Sequence, residues 1–411
     1  MSKADFRYID LFCGVGGFHQ AMSSLGGECV FACDIDKDCR KTYARNYGLE
    51  PAGDITKIDE KEIPSHDVLC GGFPCQAFSK AGKRLGFKDK TKGTLFFDVM
   101  RIIDYHKPKY VLLENVRNLT SHDDGKTWTV IRESLDEAGY DVLRDPTIFS
   151  PHYIGIPQHR ERVFIMAIRK DVGRLPGFFF NTDNIVDCNI DDVLETEVDG
   201  KYALSEEEVS LLEHWNSFIQ NTRTGDGLLP GFPILSEYFI EDDSSLDYDG
   251  MPEWKCDFIQ KNISYYRDNR KFIDKWLKDG KDVRLFFGAK ARFEWQAGID
   301  DESPDIFSNI IQFRPSGVRV KPGTYFPALV AIVQTSIIGK LKRYMTPREC
   351  ARIQGFPDSF ILDDKDAQAY KQMGNSVNVD VVRLFAEFLM DVGDTRNRYS
   401  EAEQYYLNQL F

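Results

Sequence analysis

Between residues 7 and about 170, short apolar runs alternate with segments whose apolar residues recur at helical spacing. The runs are rich in Val, Ile, Leu and Phe, and their length is typical of buried strands. They are RYIDLF (7–12), CVFACDID (29–36), HDVLCGGF (66–73), KYVLLENV (109–116) and RVFIMAIR (162–169). The helix-like segments between them are 17–25, 37–47, 94–105 and 126–139. Such an alternation predicts an α/β fold, in which a mostly parallel sheet is covered by helices on both faces.

The alternation stops near residue 172. From there to about 343 the chain has acidic loops, aromatic clusters and segments punctuated by Gly and Pro, which indicates a less regular second domain. Thr346 followed by Pro347 and Glu349 then predicts the start of a helix. We therefore expect one domain built from 1–172 and 344–411, and a smaller second domain at 173–343.

The charge of the chain is unevenly distributed. The formal net charge of −13 over 411 residues disfavours a polyanionic partner when taken alone. Residues 201–250 have two basic and eleven acidic side chains, net −9, whereas residues 251–350 have eighteen basic and twelve acidic ones, net +6. A basic surface is therefore available to a polyanion, and an unevenly charged solvated surface is the alternative.

Signals of export, membrane insertion and zinc binding are missing from the sequence. It opens without a basic segment followed by an apolar core, and it has no run of eighteen apolar residues. Its nine cysteines form no CxxC pair and no Cys/His cluster at zinc-ligand spacing. We therefore expect a cytoplasmic protein with free thiols, no metal and no membrane partner.

A glycine turn follows the first predicted strand. Gly14, Gly16 and Gly17 allow the backbone to approach a ligand, and the helix that follows offers free N–H groups. Asp34 ends the second strand about twenty residues further on, where a carboxylate can accept hydrogen bonds from a ribose, and Asp54 could bind an adenine amino group. Each feature alone also fits a tight turn or a surface carboxylate. Together they predict an adenosine ligand, and because the turn lacks the full GxGxxG spacing, S-adenosylmethionine is favoured over a nicotinamide dinucleotide.

Six motifs follow one another along the chain: DLFCGVGGF, GGFPCQAFS, LLENV, QHRERVF, RECARIQGFPD and QMGNSV. In order and approximate position they resemble the motifs of the cytosine-5 DNA methyltransferases, and the chain looks like a bacterial restriction-modification member. The resemblance covers roughly residues 7–170 and 344–390. It implies a Rossmann-like class I S-adenosylmethionine-dependent methyltransferase fold, with a target recognition domain in 173–343. It also implies an enzyme that flips a cytosine out of a short duplex DNA site and methylates its C5.

The resemblance assigns catalytic roles to four residues. Cys75 matches the nucleophile: cytosine C5 is unreactive until a nucleophile adds to C6, and a thiolate is suited to that addition. An unperturbed thiol is only about 3% ionised at pH 7, so such a cysteine works best with a lowered pKa. Glu114 matches the glutamate that contacts N3 and the exocyclic amine with its proton retained. Arg162 would hold the cytosine O2, and Arg160 would order the site or a phosphate near Cys75; the two arginines alternate along a predicted strand, so we expect them to face opposite ways.

The positions that the resemblance assigns to the cofactor follow the predicted strands or lie in the last motif. They are Phe12, Gly14, Gly16, Asp34, Ile35, Asp54, Ile55, Pro74, Leu95 and Asn375. For each apolar member taken singly, an ordinary core position is the alternative.

Two segments have basic side chains suited to double-stranded DNA. Residues 79–93 contain six Lys or Arg, as in a mobile loop that closes over phosphates, with a disordered surface loop as the alternative. Gln312, Arg314, Arg319 and Lys321 could contact guanine edges or phosphates. An enzyme that acts on one strand at a time need not dimerise, so we expect a monomer.

Two other functions remain open. The first is a tRNA cytosine-5 methyltransferase of the same family, which the large second domain disfavours. The second is a DNA-binding protein with a silent methylation site, which the intact catalytic positions disfavour.

Overall fold

A computed structural model describes residues 4–74, 95–177, 186–244, 246–279, 288–331 and 335–394. The chain forms two compact units. Unit 1 consists of Met1–Asp187, Ala328–Ile332 and Cys350–Phe411, and unit 2 of Cys188–Pro327 and Val333–Glu349. These units are defined by compactness alone. The functional domains, with predicted boundaries at 172/173 and 343/344, stay a prediction.

One sheet forms the centre of unit 1. Its strands are β1 (Phe6–Leu11), β2 (Gly27–Cys33), β3 (Val68–Gly71), β4 (Tyr110–Val116), β5 (Tyr140–Val142), β6 (Thr147–Phe149) and β8 (Arg162–Arg169), and the short strand β7 (Gln158–His159) precedes β8. Their order is β2-β1-β3-β4-β8-β5, with β6 also paired to β8. The pairs among β1, β2, β3 and β4 are parallel, whereas β8 is antiparallel to β4, β5 and β6. The predicted mostly parallel sheet is confirmed, with β8 running against its neighbours.

Helices cover both faces of this sheet. The helices of the described residues are α1 (Gly17–Ser24), α2 (Lys37–Tyr47), α3 (Leu95–His106), α4 (Lys126–Glu137), α5 (Glu206–Asn221), α6 (Glu253–Asp279), α7 (Pro347–Ile353), α8 (Asp366–Asn375) and α9 (Val379–Asp394). Because side chains alternate along a strand, Val163 and Ile165 of β8 join the core formed with α3 and α4. Phe164 lies on the opposite face, where its ring stacks on Phe385 of α9 with centroids 4.5 Å apart.

Short polar residues fix the helix ends that matter for the site. Asp36 caps α2, because its side chain accepts hydrogen bonds from the N–H groups of Asp38 and Cys39, and Gly48 ends this helix in a left-handed conformation with φ of 68°. At α7, Thr346 Oγ1 accepts from the N–H of Glu349 at 3.1 Å, and Glu349 accepts from the N–H of Thr346 at 2.9 Å. The helix start predicted at Thr346 is therefore confirmed.

A second sheet lies in unit 2. The strands of this unit are β9 (Ile234–Leu235), β10 (Arg292–Trp295), β11 (Ile310–Arg314), β12 (Gly317–Lys321), β13 (Phe326–Pro327), β14 (Ile337–Ile338) and β15 (Arg343–Tyr344). The sheet order is β15-β14-β11-β12-β10-β9, and α5 and α6 complete a core in which Trp215 stacks on Phe293. This is more regular than the sequence pattern indicates, because strands of two to five residues are too short to give a clear alternation. None of the helices in the described ranges is long and apolar enough to cross a membrane.

Candidate active site

The turn after β1 is held in left-handed backbone conformations. Phe12, Gly14 and Gly16 have φ angles of 56°, 52° and 91°. This region is strained for a side chain such as that of Phe12, and such strain concentrates at functional sites. A Cβ at Gly16 would lie 2.3 Å from Cε2 of Tyr47, whereas a Cβ at Gly14 would have no atom of the described residues within 4 Å beyond its chain neighbours. The turn is therefore tightly packed at Gly16 and open at Gly14.

Asp34, directly after β2, is hydrogen-bonded to this turn. Its Oδ2 accepts from the N–H of Gly14 at 2.8 Å, and its Oδ1 accepts from the N–H of Asp36 at 2.7 Å. Burial raises the pKa of the Asp34 carboxyl, and the N–H groups of Asp36 and Gly14 offset this only in part. An ionised carboxylate has about four lone-pair sites, so two remain for ligand hydroxyls. Ile35, the next residue, is 74% exposed, which leaves its side chain free to contact a ligand.

Asp54 and Ile55 are the next two residues predicted to bind the cofactor. Asp54 Oδ1 accepts from the hydroxyl of Thr56 at 2.8 Å and from its N–H at 3.1 Å, and these bonds lower the pKa of Asp54. The side chain of Ile55 is 3% exposed and belongs to the core of unit 1, so only its backbone remains for a ligand. Arg101 of α3 donates to the Ile55 carbonyl at 2.6 Å and so attaches this segment to α3.

The motif GGFPCQAFS continues from β3. Pro74 is exposed and is the last described residue of this part of the chain, and Leu95 is half-buried at the start of α3. Cys75, the predicted nucleophile, lies outside the described residues, as does the predicted DNA-closing loop at 79–93.

Two contacts attach the beginning of that motif to the end of β4. Asn115, which is 2% exposed, donates from Nδ2 to the carbonyl of Phe73 at 2.8 Å. A Cβ at Gly72 would lie 3.7 Å from Oε2 of Glu114. The backbone leading to Cys75 therefore passes directly beside Glu114. Sequence reasoning missed Asn115, although its position next to Glu114 in LLENV was a signal for it.

Glu114 and Arg162 form a buried ion pair. Because β4 and β8 are antiparallel, Val116 pairs with Arg162 and the carboxyl end of β4 meets the start of β8. Arg162 Nε lies 3.1 Å from Glu114 Oε1, and the Glu114 side chain is 11% exposed. Burial raises the pKa of Glu114, and the charges of Arg162 and Arg160 oppose this. The carboxyl is thus held where its proton is retained more readily than in water.

Arg160 precedes β8 instead of lying in it. Arg160 and Arg162 both line one small cavity together with Glu114, Phe149 and Phe164. The prediction that the two arginines face opposite ways is therefore wrong, because side chains two positions apart in an extended chain point to the same side.

The guanidinium of Arg160 binds backbone carbonyls. It donates to Leu329 at 3.1 Å, to Gly374 at 3.1 Å and to Ser376 at 2.9 Å. Burial lowers the pKa of Arg160 to about 9. Asn375, the last residue of α8, is exposed between the two carbonyls at Gly374 and Ser376. Arg160 therefore fixes the backbone on both sides of Asn375.

Every described residue that was predicted to take part in catalysis or cofactor binding thus lies in unit 1. Phe12, Asp34 and Glu114 stand at or just beyond the carboxyl ends of parallel strands, which is the edge where open α/β sheets bind ligands. The described residues contain no group of three or more His, Cys, Asp or Glu side chains that could hold a metal ion. A glycine turn after β1 and an acidic residue after β2 on such a sheet are features that class I methyltransferases share with other α/β proteins that bind adenosine-containing ligands.

Comparison with known proteins identifies the family. Residues 6–390 match the C-5 cytosine-specific DNA methylases. Type II methyltransferase M.DsaV of Dactylococcopsis salina is 33% identical, over 100% of this chain and 93% of its own. Type II methyltransferase M.HhaI of Haemophilus parahaemolyticus is also 33% identical, over 92% of this chain and 93% of its own. The chain therefore belongs to the C-5 cytosine-specific DNA methylase family and is a DNA cytosine-5 methyltransferase, which confirms the resemblance seen in the six motifs.

Solved structures agree on the fold. The S. pombe Dnmt2 methyltransferase superposes with a TM-score of 0.51 at 19% identity, over 94% of this chain and 99% of its own. A DNMT2 variant of Spodoptera frugiperda gives a TM-score of 0.52, also at 19% identity, over 93% of this chain and 99% of its own. At this identity the likeness bears on the fold alone.

Proposed function

We propose that this chain is the modification enzyme of a restriction-modification system, which methylates C5 of a cytosine flipped out of a specific duplex DNA site. The observation that carries this proposal is the buried Glu114–Arg162 pair beside the backbone that leads to Cys75. It supports the proposal, because an acid and a cation lie together and the acid is close to Gly72, three positions before the predicted nucleophile in the sequence. Relatives at 33% identity are named Type II methyltransferases, which supports the biological setting. We further propose that the enzyme acts as a monomer in the cytoplasm.

The strand ends of unit 1 fit S-adenosylmethionine as the methyl donor. Asp34 retains acceptor sites for two ribose hydroxyls, and Asp54 could accept from an adenine amino group. The open space at Gly14 and the N–H groups at the start of α1 suit a carboxylate tail. When bound, S-adenosylmethionine supplies a methyl group activated by its sulfonium charge. Asn375 would close this site from α8, because Arg160 fixes the backbone on both sides of it.

Cys75 is proposed as the nucleophile. Its Sγ would form a bond to C6 of the cytosine, and the electrons of the C5–C6 double bond would then make C5 nucleophilic. After methylation, loss of the C5 proton and departure of Sγ would restore the aromatic ring and the thiolate.

Glu114 and Arg162 would stabilise the charge that this addition creates in the ring. A protonated Glu114 can donate to N3 of the base, and burial favours that protonation state. Arg162, 3.1 Å from Glu114, offers a fixed cation for the cytosine O2. Arg160 acts differently, because backbone carbonyls occupy its guanidinium. We assign it a positioning role.

Unit 2 is proposed as the target recognition domain. In β11 and β12, Ile311 and Val320 face the core, which leaves Gln312 and its partner Arg319 on the opposite face of the sheet. Glu294 Oε2 of β10 accepts a hydrogen bond from Arg319 Nε at 2.6 Å. Nη2 of Arg319 lies 2.6 Å from the same oxygen. A guanidinium held in this way is oriented before it meets a base edge, which suits recognition of guanine.

Methyl transfer from labelled S-adenosylmethionine to plasmid DNA tests the proposal. We expect label at C5 of cytosines in one short sequence, located by bisulfite sequencing, and no turnover by Cys75→Ser despite unchanged cofactor binding. Label on adenine N6 or cytosine N4, transfer to tRNA in preference to duplex DNA, or near-normal activity of Cys75→Ser would contradict it.

A further inference from the structure

A chain of hydrogen bonds runs from α8 to the glycine turn. Lys371 Nζ donates to Asp36 Oδ2 at 2.8 Å. The N–H of Asp36 donates to Asp34 Oδ1 at 2.7 Å, and the other oxygen of Asp34 accepts from Gly14 at 2.8 Å. One ammonium group is therefore linked to the backbone of the turn through the side chain and backbone N–H of Asp36 and then the carboxylate of Asp34.

The two carboxylates need that cation because their charges repel each other. Asp34 and Asp36 are two positions apart, and the charge of Asp36 is one of the factors that raise the pKa of Asp34. Burial opposes ionisation of Asp36, but hydrogen bonds from Lys371 and from the N–H groups of Cys39 and Asp38 outweigh it and lower its pKa. Lys371 thus compensates the charge of Asp36, which otherwise opposes ionisation of Asp34.

The position of α8 does not depend on Lys371 alone. Gln372 donates from Nε2 to Thr42 Oγ1 of α2 at 3.0 Å in a buried contact. Val377 and Ser376 also lie within 3.0 Å of a Cβ placed at Gly17, so the chain after α8 packs closely on α1. Removing the Lys371 ammonium should therefore leave the fold intact.

We infer that Lys371 is a positioning residue for the cofactor, which acts through Asp36 to hold Asp34 and the turn at Gly14 ready for the ribose. This inference rests on the proposed function, because it assumes that Asp34 binds the ribose of S-adenosylmethionine. Lys371 itself need not touch the cofactor.

The test is calorimetric binding of S-adenosylhomocysteine to Lys371→Met, which keeps the aliphatic part of the side chain and removes its charge. We expect Kd to rise about fivefold, which corresponds to the upper end of the free energies measured for exposed ion pairs. The KM for S-adenosylmethionine should rise equally, with kcat at saturating cofactor unchanged. Lys371→Arg should restore binding, since its guanidinium can still reach Asp36.

Arg45→Met is the matched control. Arg45 lies in the last turn of α2 and pairs with Asp364 at 3.4 Å, so it also joins α2 to the segment before α8. We expect this variant to bind S-adenosylhomocysteine as the wild type does. If Lys371→Met binds no more weakly than Arg45→Met while the wild type binds and methylates DNA, the inference fails and the proposed function stands. If the wild type binds no cofactor, both fail.

Discussion

The half-buried carboxylate of Asp34 and the buried carboxylate of Glu114, both in unit 1, differ in what surrounds them. Asp34 accepts two backbone N–H groups, which stabilise its ionised form. Glu114 is 8% exposed with Arg162 as its ion-pair partner, and burial still raises its pKa. Burial raises the pKa of both carboxyls, but Asp34 is hydrogen-bonded to the glycine turn, which suits an acceptor for hydroxyl groups, whereas Glu114 lies close to Gly72, which suits an acid near the predicted nucleophile. Their surroundings thus suit Asp34 to ligand binding and Glu114 to catalysis.

Replacing Glu114 tests this assignment at the scale of a single residue. Glu114→Gln keeps the shape of the side chain but cannot transfer a proton, so we expect the single-turnover methylation rate to fall by about 10²- to 10³-fold. Affinity for duplex DNA should change little. Glu133→Gln, at an exposed position of α4, serves as the control. An unchanged single-turnover rate would refute the catalytic role of Glu114.

At the scale of elements, the glycine turn and α2 are fitted to each other. Tyr47, at the end of α2, donates to the carbonyl of Gly16 at 3.1 Å and stacks on His19 of α1 with ring centroids 3.8 Å apart. The same α2 begins at Asp36, which connects to Asp34. Asp36 and Tyr47, at the two ends of α2, therefore both help to position the turn, and replacing either of these two residues should affect the cofactor site.

Gly16→Ala compared with Gly48→Ala separates backbone strain from packing. Both glycines have positive φ, 91° and 68°, so each substitution should cost about 1–2 kcal/mol from strain alone. At Gly16 the new Cβ would collide with Tyr47. At Gly48 no described atom beyond the chain neighbours lies within 4 Å of a Cβ. We expect Gly16→Ala to lose more unfolding free energy in urea titrations and to bind S-adenosylhomocysteine more weakly. Equal losses in the two variants would show that Tyr47 adjusts freely.

At the scale of the whole molecule, each of the two units has a large hydrophobic core of its own among the described residues. One lies between the sheet of unit 1 and helices α3 and α4, and the other joins α5 and α6 to the sheet of unit 2. The proposed cofactor residues belong to unit 1 alone. A ligand bound only by folded unit 1 should therefore stabilise that unit directly.

Thermal unfolding with S-adenosylhomocysteine measures this effect. At a concentration one hundred times Kd, the ligand should add about 2.7 kcal/mol to the stability of the unit that binds it. Four of the five tryptophans are in unit 2, so tryptophan fluorescence follows mainly that unit, whereas calorimetry records both. We expect a larger shift in the calorimetric transition of unit 1 than in the fluorescence transition. A larger shift by fluorescence would place the binding residues in unit 2.

The sequence alone determined β1 to β4, β8, the helices α1 to α4 and the family, because apolar periodicity and contiguous motifs are local properties of the chain. It also predicted that Asp34 and Glu114 lie at one edge of the sheet, since the carboxyl ends of parallel strands share an edge. The tertiary structure alone decided that Arg160 binds the carbonyl of Gly374, 214 positions away. It also decided that Lys371 meets Asp36, 335 positions away. Such contacts depend on how distant segments pack, and they leave no periodic trace in the sequence.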